Sequence, residues 1–256
     1  PFVTATVLEK TMVMQSTRAF KFYLEELHTL GSQLSMATLL VQVSDDLLSL
    51  AKRSPDVSQH RVDEPYRVAV SGMYARLAST YKKLLGLEAI IAPCAPAAPY
   101  HSAEEFVADL DVVHHSLLEH GSLGITRGRL RHLRRAVRVF GFYLAPIDLR
   151  QNSDVHERVV AELLKAAQPD LNYLSLNEDE RIAVLVAEMS SSRPLASSYL
   201  VYSEETQSEL AIYRAACTAQ QRYGNGAVPN CIISKTDGVS DMLELAVLLK
   251  ESGLLH

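Results

Sequence analysis

Phe142-Tyr143-Leu144-Ala145-Pro146-Ile147-Asp148-Leu149-Arg150-Gln151-Asn152-Ser153 carries a change from one periodicity to another. Up to Arg150 it is short, aromatic and β-branched, which predicts a strand, although Pro146 cannot donate to a ladder and weakens the pattern. Ser153 then predicts the cap of a helix that carries Val155, Val159, Val160, Leu163 and Leu164 at helical spacing. Asn230-Cys231-Ile232-Ile233-Ser234-Lys235 predicts a second strand, and Ser240 the cap of a final helix ending near Leu255. The two strands stand about 80 residues apart, far beyond the dozen or more that a simple parallel crossover needs. Two strands alone make a poor sheet, so further strands are expected from sequence outside this chain.

Outward from these units, helical patterns dominate. Residues 3–52 predict two helices broken near Gly31, with Phe20, Leu24, Leu27, Leu30 and Leu34 at helical spacing. Residues 53–63 are polar, hold Pro55 and predict a loop; residues 66–86 predict a third helix. The stretch 92–99 carries Pro93, Pro96 and Pro99 and predicts a stiff connector. Ser102 predicts the cap of a helix to about His120, and Thr126 the cap of the next, ending near Gly141. Further helices are expected at about 177–190 and 203–222, the latter closed by Tyr223-Gly224-Asn225-Gly226. The fold class is mostly α-helical with a few β-strands.

Composition narrows the function. The 256 residues are 48% hydrophobic with a net charge of −5, a balance that argues against a nucleic-acid partner. No run of eighteen apolar residues appears, so no membrane span is expected. The opening lacks the basic flank and cleavage site of a signal peptide. Cys94, Cys217 and Cys231 form no pair at C-x-x-C spacing, so no disulfide framework and a cytoplasmic setting are expected, with Cys231 a small buried hydrophobe. The first residue is proline and a strong helical pattern runs to the end, so a trimmed chain or a piece of a longer one is expected.

Arg150 is the leading candidate site residue. It falls at a strand end ahead of a helix N-terminus, where backbone N–H groups and the helix dipole favour anions. Its planar fork suits carboxylate or phosphate, and a salt bridge to Asp148 or Asp154 is the structural alternative. Lys235 and Asp237 take the same place after the second strand, as a site or as solvated loop residues. Arg127, Arg129, Arg131, Arg134, Arg135 and Arg138 read best as a solvated face around Leu130, Leu133 and Val137, and less well as a nucleic-acid surface. His115 and His120 lie five apart, about 140° around a helix, which does not match a zinc motif.

The stretch FGFYLAPIDLRQNS at 140–153 resembles the FGLxLxxLDIRQES segment of phosphoenolpyruvate carboxylases, with His156 at the family's spacing. Glu64-Pro65-Tyr66-Arg67 resembles their EPYR, Arg193-Pro194-Leu195 their KRPL, and Ile232-Ile233-Ser234 their YVISM strand. Ser240-Asp241, Leu243 and Leu248-Leu249-Lys250-Glu251 resemble their SDVLAVELLLKE helix, and Pro1-Phe2-Val3-Thr4 looks like the continuation of GGDRDGNP. The resemblance implies a partial α/β barrel of TIM type, wrapped in helices, with residues 1–256 a single central piece of a larger enzyme. Residues 1–140 would be its helical region, and 141–256 two strand–loop–helix units with a helical insertion.

It implies a homotetramer that joins bicarbonate to phosphoenolpyruvate, using Mg²⁺ or Mn²⁺, and releases oxaloacetate and phosphate, a step of carbon dioxide fixation. Arg150 matches an active-site arginine that holds the anionic substrates. The family's catalytic histidine lies upstream of this chain, and its metal carboxylates and glycine-arginine loop lie downstream, so the chain alone is expected to be inactive. Lys235 stands where the family has methionine, and Asn152 where it has glutamate. The rival reading is a helical interaction or regulatory protein on the same scaffold.

Overall fold

The computed structural model describes residues 4–255, and helix prevails in it, as the Leu-, Ala- and Lys-rich segments dictate. Pro1–Val3, where the match to the family's glycine-rich motif falls, and His256 lie outside the described residues. In chain order the helices are α1 Ala5–Gln33, α2 Asp45–Lys52, α3 Pro65–Leu85, α4 Ala103–Glu119, α5 Leu123–Thr126, α6 Arg129–Phe140, α7 Ser153–Ala167, α8 Glu178–Ser190, α9 Glu204–Tyr223 and α10 Val239–Glu251. The strands are β1 Leu149–Asn152 and β2 Cys231–Ser234. Two compact units divide the chain, residues 13–145 and residues 1–12 with 146–256.

The unit of residues 13–145 is helical. Its core is aromatic at the centre: Phe20 stacks on Phe142 at 4.9 Å between centroids and lies 5.4 Å from Tyr81. The Tyr23 hydroxyl donates to the Gly141 carbonyl at 2.8 Å. These contacts correct the reading of Phe142 as the start of a strand. Phe142 plugs a helical core, and the chain turns there through left-handed Gly141 (φ 50°) and Leu144 (φ 70°). Extended pairing starts later, when the Ile147 N–H donates to the Ala227 carbonyl and the Leu149 N–H to the Asn230 carbonyl.

Ser102 caps α4 by accepting from the Glu105 N–H, as its position predicts. Thr126 does not cap α6. It closes the short α5, its hydroxyl donating back to the Leu123 carbonyl, and Gly128 takes the cap position. Leu130, Leu133 and Val137 are buried along α6. Around them Arg129 pairs with Glu26, and Arg134 and Arg138 share Asp111, while Arg127, Arg131 and Arg135 are exposed.

In the other unit β1 and β2 pair in parallel, with Leu149 opposite Cys231 and Asn152 opposite Ser234. Among the described residues each strand has this one partner. Each strand leads into a helix, β1 into α7 and β2 into α10. Val159, Val160, Leu163 and Leu164 of α7 are fully buried, as are Leu185 of α8, Ala216 of α9 and Leu248 of α10. Among the described residues no helix is long and apolar enough to cross a membrane.

Candidate functional site

The strand-to-helix junction at β1 sets the site. Leu149 is buried, Arg150 exposed, and Asn152 keeps an extended backbone (φ −81°, ψ 146°) before α7 begins at Ser153. Arg150 therefore lies inside the strand, two residues from its end. Ser153 is not the cap: Asn152 takes that position without a side-chain bond. The Ser153 hydroxyl donates instead to the Lys235 carbonyl at 2.8 Å, tying the end of β1 to the end of β2. Ser240 is likewise not the cap of α10. Its N–H and hydroxyl both donate to Glu178, and Gly238 takes the cap position, with the Asp241 carboxylate accepting the N–H of Asp237 and of Gly238.

An open cleft of about 790 Å³ runs along β1, lined by Asp148, Arg150, Asn152, Arg158, Glu209 and Tyr213 among others. Its carboxylates are committed. Asp154 and Glu205 both bind Arg158, at 3.1 and 2.8 Å, and these bonds hold both carboxyls below their ordinary range. Asp148 accepts from the Asn230 amide at 3.0 Å. Glu209, only 7% exposed, accepts from the Gln151 amide at 2.7 Å, and burial pushes its carboxyl up. The expected alternatives for Arg150, Asp148 and Asp154, are thus engaged elsewhere. Among the described residues Arg150 has no ion pair, which leaves its fork of five donors open to an anion in the cleft.

Also lining the cleft, His156 is 1% exposed and its Nε2 lies 2.9 Å from the Tyr213 hydroxyl. Burial lowers the imidazole to about 4, against the weaker pull of Asp241 and Asp154, so it is neutral near pH 7. Cys231 is half-buried at the cleft wall, not fully buried as its apolar run predicts, and burial raises its thiol. Lys235 and Asp237 are exposed at the end of β2, with Lys235 in a left-handed conformation (φ 61°). All three cysteines are free thiols.

The wall that α9 supplies has no specific marker in the sequence. Glu205, Glu209 and Tyr213 recur every four residues, which puts them on one face, and they meet Arg158, Gln151 and His156. The spacing was visible. Carboxylates on an amphipathic helix, however, are usually solvated, and nothing local marks Glu209 as buried.

The residues present do not fit a divalent metal. Among those described, no group of three His, Cys, Asp or Glu side chains comes together as ligands, and the acidic groups of the cleft already serve Arg158, Asn230 and Gln151. His114, His115, Glu119 and His120 form no such group either, and the His120 Nδ1 bonds to the Ser116 carbonyl at 2.7 Å.

Comparison with known proteins bears on this arrangement. The family model described as phosphoenolpyruvate carboxylase matches residues 1–256. A phosphoenolpyruvate carboxylase of Aromatoleum aromaticum is 60% identical over 256 residues, covering all of this chain and 28% of the relative. One from an Azoarcus species is also 60% identical, again over all of this chain and 28% of the relative. One from Rhodopseudomonas palustris is 56% identical over 255 residues, 27% of its length. The chain thus spans about 28% of the length of the relatives it matches. It belongs to the phosphoenolpyruvate carboxylase family.

Proposed function

We propose that this chain is the central part of an enzyme that joins bicarbonate to phosphoenolpyruvate and releases oxaloacetate and phosphate, and that Arg150 binds the anionic substrate there. In that reaction bicarbonate attacks the phosphorus and the enolate so freed is carboxylated. The observation that carries the reading is an exposed guanidinium without an ion pair, on a strand, beside a cleft whose carboxylates are bound to other groups. The role of such a group is to bind and orient: a fork meeting two oxygens fixes an anion's position as well as its charge. The Ser153–Lys235 bond holds the end of the strand that carries it, and the neutral imidazole of His156 ties the following helix α7 to Tyr213 of α9.

In this reading β1 and β2 are two strands of a larger parallel α/β barrel of TIM type, whose remaining strands come from the rest of the enzyme. The parallel register and the helix after each strand support this. The whole enzyme is a cytoplasmic homotetramer using Mg²⁺ or Mn²⁺, with the ion held by residues other than those described.

In the full-length enzyme, Arg150→Gln lowers kcat/KM for phosphoenolpyruvate by about 100-fold or more, the scale of a lost charge-assisted bidentate contact. Arg150→Lys, which keeps the charge but not the fork, falls between. Values within twofold of the parent for Arg150→Gln contradict the reading.

A further inference from the structure

We infer that Gln151 and Glu209 are positioning residues for Arg150, an assignment that rests on the anion-binding role proposed for that arginine. Gln151 follows Arg150 on β1 and lines the same cleft, as does Glu209, while successive side chains of a strand leave on opposite faces, which frees Gln151 to bond away from Arg150. Both ends of its amide are used. The Oε1 accepts the Asn152 N–H at 2.9 Å, and the Nε2 donates to the Glu209 carboxylate at 2.7 Å. The first bond fixes the peptide where the strand ends and the helix begins. The second anchors that peptide to α9, a 20-residue helix that also grips α7 through Glu205–Arg158 and Tyr213–His156. Glu209 is nearly buried, and Gln151 is its side-chain partner, so this bond replaces water that the carboxylate has lost.

An arginine on a four-residue strand has long rotamer freedom of its own. It discriminates an anion only if its backbone is held to within a fraction of an ångström. β1 is paired along one edge among the described residues, and the Gln151–Glu209 bond adds a side-chain constraint at its C-terminal end beside the Ser153–Lys235 bond.

The test is a double-mutant cycle in the full-length enzyme. Glu209→Ala is expected to raise KM for phosphoenolpyruvate about tenfold with KM for bicarbonate unchanged. Glu209→Gln, which still accepts from Gln151, is expected to stay within threefold of the parent. On an Arg150→Gln background, Glu209→Ala is expected to cause no further fall in kcat/KM, because the arginine it positions is gone. An equal fall on both backgrounds, or a Glu209→Ala enzyme with the parent's KM, overturns the assignment. If Glu209→Ala does not fold, Gln151→Ala breaks the same bond from the other side and is read in the same cycle. An Arg150→Gln enzyme with parental kinetics overturns the anion-binding reading itself. An impaired Arg150→Gln enzyme with additive Glu209→Ala overturns only the positioning role.

Discussion

Glu244 on α10 is fully buried and is held by one bond, from the Tyr173 hydroxyl at 2.7 Å; its other oxygen has no partner. Burial raises its carboxyl from 4.5 to about 7; the Tyr173 bond opposes this, Asp241 and Glu157 add to it, and Arg181 opposes it. The folded chain therefore keeps a proton that the unfolded chain releases between about pH 4.5 and 7, and its stability falls as pH rises through that window. Glu244→Gln keeps an acceptor for Tyr173 and removes the titration. Hydrogen exchange of α10 in the full-length protein, corrected for intrinsic rates, is expected to show the parent losing protection relative to Glu244→Gln as pH rises from 5 to 8, by up to about 3 kcal/mol. Parallel profiles contradict this. His156 acts in the opposite sense, its contribution fading as pH falls from 6.5 towards 4, and it is common to both proteins. Arg150 was legible at this scale because a charged residue at the end of a strand pattern is conspicuous. Glu209 and Glu244 were not, because burial of a carboxylate depends on elements far away in sequence.

At the scale of elements, helix ranges were readable and the residue that caps each start often was not. The periodic patterns at 66–86, 102–120, 177–190 and 203–222 match α3, α4, α8 and α9 closely. Three of the serine and threonine caps moved. Ser153 and Ser240 spend their hydroxyls on Lys235 and Glu178, and Thr126 closes a turn of its own. A hydroxyl near a helix start has the same local signature whether it bonds the first turn or a distant partner. The shortening of β1 has the same origin. Phe142 has strand propensity, but its ring is worth more against Phe20 than in a ladder, and tertiary packing overrides local preference. Of the candidate site, the sequence showed the strand side and hid the α9 wall, since only the fold brings positions 151 and 209 together.

At the scale of the molecule, the chain carries Arg150 and its supports, and among the described residues no metal-ligand cluster. The 256-residue polypeptide, which spans about 28% of its relatives' length, is expected to form no oxaloacetate from phosphoenolpyruvate and bicarbonate in the presence of Mg²⁺, measured by coupling to a dehydrogenase; turnover above background contradicts that. If the Arg150 guanidinium meets the anionic substrate, bound substrate shields it, and side-chain modification reads that directly. The full-length enzyme is treated with phenylglyoxal, an arginine-selective reagent, with and without phosphoenolpyruvate, and the modified arginines are mapped by peptide mass. Arg150 is expected to be modified at least tenfold more slowly with substrate, while Arg127, exposed just before α6, and Arg131 and Arg135, exposed on it, react at unchanged rates. Equal modification of Arg150 under both conditions contradicts that contact.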